Sequence, residues 1–274
     1  MVPRALADRI SLGSPMAVRR RRCLALLLAF SLGCVSEDAA RKSPAWQTLK
    51  FDAEPGRDRV LLDVAIVQRP LDDPFLASEI WAGADEMILP MERRELVELN
   101  GFRVGLLVGF PPEKLIQLMK SERSRVERKG RSAPAGATIE QFIREAAADC
   151  ECELRCSAKK ERVKLERPKF AIDLTTTVLD DDRIRLRLDP RAEVGDATMR
   201  FKPLPEESKW AMEVKRATRT VPGLAFELDM APNQILIVGP RADQPDSLGH
   251  HTFVDESSTP PTQRLLILRQ IRNR

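Results

Sequence analysis

A short apolar segment that directly follows four arginines limits where this chain can fold. Residues 19–22 are arginines, residues 23–33 form an apolar run, and small Gly33 stands directly before Cys34. A basic start, an apolar stretch of about 7 to 15 residues and a small residue at its end make up a secretory signal. The run is too short to span a bilayer, which takes about 20 apolar residues. The sequence therefore predicts that residues 1–33 are a removable signal peptide and that the remainder folds after export.

The segment that ends at Cys34 resembles the lipobox of bacterial lipoproteins. Cys34 directly follows Leu32 and Gly33, and Ser31 stands where members of the family usually carry leucine, three positions before the cysteine. The resemblance implies that Cys34 becomes the first residue of the mature protein and carries fatty acids such as palmitate. Two alternatives stay open at this point: an ordinary signal peptide cut elsewhere, or a short membrane anchor.

The positive charge of the chain is concentrated in this leader. Residues 1–15 show no apolar periodicity, and Met16 would open a compact signal directly, so we expect the true start at Met16. Residues 1–33 hold six arginines and one aspartate, a net charge of +5, whereas the whole chain has +4. The mature chain therefore has a net charge near −1, and its composition does not indicate nucleic-acid binding. The absence of tyrosine and an aromatic content of 5% also disfavour sites that stack sugars or bases.

The mature sequence divides into a tether and two regions, which together predict an α+β fold. Residues 34–56 are polar, as expected of a flexible, lipid-anchored tether. Residues 57–157 are typical of a mixed α/β half. Their patterns predict strands at 59–68 and 102–110, helices at 75–84, 91–98, 111–119 and 138–146, and a loop at 121–136.

Residues 158–274 are predicted to form a β-rich, mainly antiparallel half. Its plainest feature is a hairpin of residues 170–179 and 183–189 around the acidic turn of residues 180–182. Arginines at 183, 185 and 187 alternate with apolar residues, which indicates a solvated strand face; an anionic partner for the arginines is the alternative. Further strands are predicted at 198–202, 210–215, 224–228, 234–238 and 264–271.

This hairpin resembles part of the core of the secretins, the ring-shaped outer-membrane gates of bacterial secretion and pilus systems. Residues 174–190 follow the family's pattern of a Thr-containing apolar strand, an acidic turn and a strand that ends in proline. Residues 60–67, 231–239 and 264–271 are similar to other strands of that core. The chain departs from the family at Pro240, where glycine is expected, and at residues 269–270, where Thr-Pro is usual. The resemblance implies a reduced relative that packs or recruits rather than conducts.

Candidate chemical groups are few. Cys150, Cys152 and Cys156 lie close together, and in an oxidising compartment we expect Cys150 or Cys152 to form a disulfide with Cys156. Free or buried thiols and a metal site are the alternatives, although the spacing lacks the usual Cys-x2-Cys. The adjacent His250 and His251 are expected to be exposed to solvent. Because no phosphate-binding loop or nucleophile elbow occurs, we predict no catalytic residue, cofactor or metal.

These features favour a non-enzymatic envelope lipoprotein, a structural or interaction component of secretin-like export or envelope machinery. Its expected partners are the membrane, through the lipid on Cys34, and envelope proteins or further copies of itself. It is expected to face the periplasm, on the outer rather than the inner membrane, because Val35 replaces the aspartate that retains some lipoproteins in the inner membrane. An exported enzyme or metal-binding protein that uses Cys150, Cys152 and Cys156 is the alternative.

Replacing Cys34 by Ser tests the lipid anchor. The substitution keeps the apolar run and Gly33, so export continues while the acyl chains, worth about 0.8 kcal/mol per buried methylene, are lost. We expect wild type in the membrane fraction and Cys34→Ser in the soluble envelope fraction or as a precursor. Equal metabolic labelling of both proteins with a palmitate analogue, or a mature N-terminus other than Cys34, would contradict the lipoprotein hypothesis.

Overall fold

The computed structural model describes residues 59–109, 111–156, 159–204 and 209–271 of the chain. The predicted signal peptide, the lipidation site Cys34 and the tether lie outside these ranges. Within them, no helix has both the length and the apolar character that crossing a bilayer requires.

Strands account for most of the described structure. In chain order they are β1 (Arg59–Pro70), β2 (Phe102–Leu107), β3 (Arg125–Pro134), β4 (Thr138–Glu145), β5 (Cys150–Cys156), β6 (Lys159–Leu165), β7 (Lys169–Val178), β8 (Ile184–Leu204), β9 (Lys209–Thr220), β10 (Phe226–Met230), β11 (Ile235–Pro240), β12 (Val254–Asp255) and β13 (Thr262–Ile271). The α-helices are α1 (Met91–Leu99), α2 (Glu113–Lys120) and α3 (Leu248–Phe253). A π-helical turn (Phe75–Glu79) and a 3-10 turn (Trp81–Gly83) follow β1.

Most of the strands belong to two antiparallel sheets. The first sheet has the spatial order β2-β11-β13-β1-β3, and β12 pairs with β13. The second has the order β10-β8-β7-β4, and β9 pairs with β8. The remaining strands, β5 and β6, form a hairpin. Because β1 pairs with β13 and β2 with β11, the first sheet contains strands from both of the predicted regions.

The first sheet is covered on both faces. On one face, Leu62 and Val64 of β1 belong to a large apolar core that includes residues of the second sheet. On the other face, Ala65 and Val67 pack in a smaller cluster with residues of α2 and of the turns after β1, including Trp81. Alternate side chains of a strand point to opposite faces, so an apolar residue is needed at nearly every position. The expectation that the first strand is buried on both faces is confirmed.

The α+β prediction is wrong, because the first half is also mainly β-structure. Residues 138–146, predicted as a helix, form β4. Thr138 Oγ1 lies 2.9 Å from Thr175 Oγ1 on β7 instead of capping a helix, and Ile143 is buried in the core. Pairing along β7 supplies the backbone of β4 with hydrogen-bond partners. This tertiary pairing overrides a local pattern that favours a helix.

Two further predictions for the first half are also wrong. Residues 121–136, predicted as a loop, contain β3, whose many charged side chains suit the edge of a sheet. Residues 75–84, predicted as one helix, form two short turns in which Trp81 Nε1 donates to the Leu76 carbonyl at 2.9 Å. The helices predicted at 91–98 and 111–119 are present as α1 and α2, and the predicted hairpin is present as β7 and β8.

A buried carboxylate, Asp63, lies on β1, between β13 and the edge strand β3 of the first sheet. Arg128 of β3 donates from Nε to Oδ1 at 2.8 Å and from Nη2 to Oδ2 at 2.6 Å. Arg269 of β13 donates from Nη2 to Oδ2 at 3.1 Å. Burial lowers the pKa of Arg269, and the charge of Asp63 acts in the opposite direction. One carboxylate therefore links three neighbouring strands, β3, β1 and β13.

Replacing Asp63 by Asn should destabilise the fold strongly. The amide keeps the shape of the side chain but leaves two largely buried guanidinium groups without their counter-charge, a change that costs about 3 to 5 kcal/mol in buried ion pairs. Urea unfolding measures the loss. Glu227→Gln is the matched control, because Glu227 pairs with Arg187 on the exposed surface at 2.9 Å, where such a loss costs at most about 1 kcal/mol. Equal effects of the two substitutions would contradict this role of Asp63.

Candidate interaction surface

The strands β8 and β9 extend beyond the second sheet as a two-stranded ribbon. β8 pairs with β7 as far as Glu193 and with β10 over residues 184–188. From Thr198 to Leu204, its partner within the described part of the chain is β9 alone. We call residues 198–204 and 209–215 the β8–β9 ribbon. The outer edges of both strands are unpaired there among the described strands.

A bulge separates the ribbon from the second sheet. The register shifts between Val194 and Thr198, and Gly195 has a φ of +72°, in the left-handed region that favours glycine. The base of the ribbon is fixed to the body, since the N–H of Gly195 donates to the Glu166 carbonyl at 2.9 Å. Bulges bend and twist a strand, so the ribbon leaves the sheet from an anchored base.

One face of the ribbon consists of large, exposed apolar side chains. Met199 lies directly opposite Val214, and Phe201 lies directly opposite Met212. Opposite residues and residues two apart share a face, so the four side chains form one patch. The exposed fractions are 69% for Met199, 68% for Phe201, 60% for Met212 and 54% for Val214. The alternate positions carry Thr198, Arg200 and Lys202 opposite Lys215, Glu213 and Ala211.

This apolar patch is not an extension of the core. Val194 lies opposite Ala217 before the bulge, and Thr198 lies opposite Lys215 after it. Since residues 215 and 217 share one face of β9, even-numbered positions of β8 keep the same face across the bulge. In the body these positions are buried, as at Leu188. The patch at odd-numbered positions therefore continues the outer face of the sheet.

The ribbon has the surface properties of a binding element. Two-stranded sheets are only marginally stable in water without further packing, and unpaired strand edges can accept another strand. Sequence reasoning predicted the two strands, at 198–202 and 210–215, but not the patch. The alternation of apolar residues was visible in each strand, whereas their alignment depends on the register across the hairpin.

The arginine row of β8 is a solvated strand face, as the sequence analysis favoured. Arg185 Nε donates to Asp229 Oδ1 at 2.8 Å, and Arg187 Nη1 donates to Glu227 Oε1 at 2.9 Å. Both acidic partners belong to the neighbouring strand β10. Because these partners come from the chain itself, the arginines do not require an external anion.

The three cysteines lie on β5 as free thiols, so the expected disulfide is not formed. Positions 150, 152 and 156 share one face of the strand, and that face packs against the large core. At about 3.3 Å per residue, an extended strand places Cys152 and Cys156 about 13 Å apart, whereas a disulfide spans less than about 7 Å between Cα atoms. The pairing required a bend after Cys152, whereas β5 stays paired with β6 in an unbroken register from Cys150 to Cys156.

The electrostatics of these cysteines do not favour the chemistry of the alternative function. Burial raises the pKa of the Cys152 thiol to about 12. Burial also raises the pKa of Cys150, although the nearby Arg144 guanidinium acts in the opposite direction. A protonated thiol is a weak nucleophile and metal ligand. Across residues 59–271, with the gaps given above, no three His, Cys, Asp or Glu side chains are grouped so that they could hold a metal ion.

The two histidines are not the exposed pair that the sequence predicted. His250 is 8% exposed, and Nε2 of His251 lies 2.9 Å from the backbone carbonyl of Glu151 on β5. Burial lowers the pKa of His251. The surrounding Gly, Ser and Asp residues suggested a surface loop, but α3 packs closely against the body: the N–H of Gly249 donates to the carbonyl of Asn100 at 2.8 Å.

Comparisons with known proteins leave the chain without an assigned family. No protein-family model matches the sequence, and no curated protein matches it. Among solved structures, it is similar to a chain of the Klebsiella pneumoniae type II secretion system outer membrane complex of PulD, PulS and the PulC HR domain, with 9% identity and a TM-score of 0.24. The alignment covers 80% of this chain and 41% of that chain. This chain thus spans less than half of the matched one, and a likeness at this TM-score assigns neither fold nor function.

The pH dependence of the unfolding free energy at alkaline pH tests whether the Cys152 thiol is buried. Below pH 9 the thiol is protonated in both the folded and the unfolded chain; above pH 9 the unfolded thiol ionises first, so stability falls as the pH rises towards 12. We expect Cys152→Ala to show a smaller loss of unfolding free energy between pH 8.5 and 10.5 than wild type does. The chain contains no tyrosine that would titrate in this range. Cys156→Ala is the control, and identical pH slopes for Cys152→Ala and wild type would refute the assignment.

Proposed function

We propose that this chain is a non-enzymatic lipoprotein of the bacterial cell envelope that assembles through its β8–β9 ribbon. The observation that carries the proposal is the apolar patch on one face of the ribbon. Nine large hydrophobic side chains are exposed among the described residues, and four of them form this patch. Scattered apolar side chains are ordinary on protein surfaces, whereas contiguous patches mark interaction sites.

The proposed occupant of the patch is a second copy of this chain. Two ribbons packed face to face about a twofold axis would lie about 10 Å apart and cover both patches with matching apolar side chains. No charged residue stands at the four positions of the patch, so the partner must also present an uncharged surface there. Thr198 and Lys215, on the opposite face of the ribbon, would stay in contact with water.

The location of the protein in the cell is proposed from residues 1–34. Export by the signal peptide and lipidation of Cys34 would place the described residues in the periplasm, anchored by preference to the outer membrane. The segment that resembles a secretin core, residues 174–190, lies in the hairpin of β7 and β8, and β8 continues directly into the ribbon. This continuity supports a role in secretin-like export or envelope machinery in which the chain is a structural component.

The oligomeric state of the exported chain tests the proposal. We expect the protein with Cys34 replaced by Ser to be a dimer by light scattering, and the additional pair Phe201→Ser and Met212→Ser to weaken the dimer at least tenfold, because the centre of the patch becomes polar. Met91→Ser is the matched control, since Met91 is an exposed methionine on α1, outside the ribbon. A Cys34→Ser protein that stays monomeric at 100 times the envelope concentration would refute the second copy as occupant.

A photo-crosslinking amino acid at position 201 identifies the occupant in intact cells. A product of twice the protomer mass supports self-assembly, and the same probe at Thr218, on β9 beyond the ribbon, should not give it. Crosslinking to a different envelope protein, or to lipid, with no dimer product, would contradict the second copy. Full retention of the dimer product after substitution of Met212 would show that the contact lies elsewhere.

A further inference from the structure

A cavity of about 260 Å³ opens at the end of the first sheet where β13 begins. Most of its wall is apolar. The apolar lining comes from Leu71, Leu76, Ala77, Pro240, Ala242 and Val254, and the polar lining from Arg103, Arg241, His250 and Gln263. The cavity lies outside the β8–β9 ribbon, so an inference about it is independent of the proposed function.

The two arginines at the cavity are already neutralised by the chain itself. Arg103 donates from Nε and Nη2 to the two carboxylate oxygens of Glu86, at 2.8 and 2.7 Å. Arg241 donates in the same way to Asp243, with both distances 2.9 Å. A bidentate ion pair satisfies the guanidinium in charge and in geometry. A ligand of this cavity therefore does not need a charge.

The amide of Gln263 is the unusual group in the cavity. The residue is 6% exposed, and within the described part of the chain its side chain makes no hydrogen bond. Its amide oxygen and nitrogen are not among the buried polar atoms without a partner, so water reaches them. Gln270 on the same strand differs, since its Nε2 donates to the Asp182 carbonyl at 2.8 Å and its Oε1 is buried without a partner among the described residues. The exposed remainder of Gln263 borders the cavity, so a ligand there could supply the missing partner.

His250 forms a second polar part of the same wall. The residue is 8% exposed, and its Nε2 lies 3.1 Å from Glu256 Oε1. In the tautomer that donates to this carboxylate, Nδ1 is an acceptor, and Nδ1 has no hydrogen-bond partner among the described residues. Gln263 and His250 thus border one apolar cavity, and the amide of Gln263 supplies the hydrogen-bonding atoms that a ligand can reach. Apolar pockets with a few convergent polar groups are the usual form of a small-ligand site.

We infer that this cavity binds an uncharged group with an apolar body and an amide head, and that the head forms hydrogen bonds with Gln263. The volume equals that of about nine waters at ~30 Å³ each, enough for one branched aliphatic or aromatic group. Both a free small amide and an apolar side chain of a partner, together with its backbone amide, have this chemistry. The rim is open to either source, since Ala77 and Ala242 are exposed.

Binding of two probes tests the inference and separates the two sources. N-acetyl-leucinamide represents the free ligand, and a blocked pentapeptide with leucine at its centre and alanine elsewhere represents a partner segment. We expect at least one probe to shift the side-chain amide signal of Gln263 in NMR spectra and to protect the fold against heat. Tighter binding of the pentapeptide assigns the site to a partner segment, and tighter binding of N-acetyl-leucinamide assigns it to a free ligand.

Gln263→Leu should weaken probe binding at least tenfold, because it removes the hydrogen-bonding amide of the cavity wall, while the melting temperature changes by less than about 2 °C, because no hydrogen bond within the described chain is lost. Gln270→Leu is the matched control: it should retain binding, because Gln270 does not line the cavity. Ala77→Trp, at an exposed position on the rim, should block binding without disturbing the core. Failure of both probes to shift the Gln263 signal at 10 mM, or equal binding by Gln263→Leu, would overturn the inference.

Discussion

The contact of Asp63 with Arg128 and Arg269 is the interaction on which the rest of the structure depends. It joins β3, β1 and β13 through charged groups that are largely removed from water, where an unmatched charge is far more costly than on the surface. The contact also tolerates little change of register, because the three side chains meet only when these strands are correctly aligned. Once β13 is in place, β11 and β2 complete the sheet, and the cavity beside Gln263 forms where β13 begins.

One bulge in β8 separates the part of the second sheet that packs on the core from the β8–β9 ribbon. In the body, β8 buries Ile184, Leu186 and Leu188 and turns its arginines to solvent, so the strand has one apolar and one charged face. Beyond Gly195 the distribution is reversed: the outer face becomes apolar, and the face that continues the core side becomes polar. A single strand thus contributes to the core with one part and carries an exposed apolar patch on the other. The bulge and its anchored base allow the two patterns to coexist without a slip in register.

The sequence predicts the strands of the second half well, because the alternation at residues 183–189 has the period of a half-buried strand. It fails for residues 138–146, whose local pattern suits a helix until the strand β7 is available as a partner. The same limit applies to the functional features. The patch of Met199 and Phe201 requires knowledge of the residues opposite, and the cavity at Gln263 is lined by parts of the chain far apart in sequence. Tertiary contacts of this kind leave no periodic signal within one segment.

The pairing of β1 with β13 also determines when the chain can fold. Leu61 is aligned with Ile271 and Pro70 with Thr262, so the first described strand must wait for the last one before its inner edge is covered. A chain exported with its amino end first would present β1, an almost wholly apolar strand, before its partner has crossed the membrane. Contacts between distant segments also slow folding, and exposed apolar edges favour aggregation during the delay. For such a chain, the interval between the arrival of the two strands is the period in which a periplasmic chaperone would be of most use.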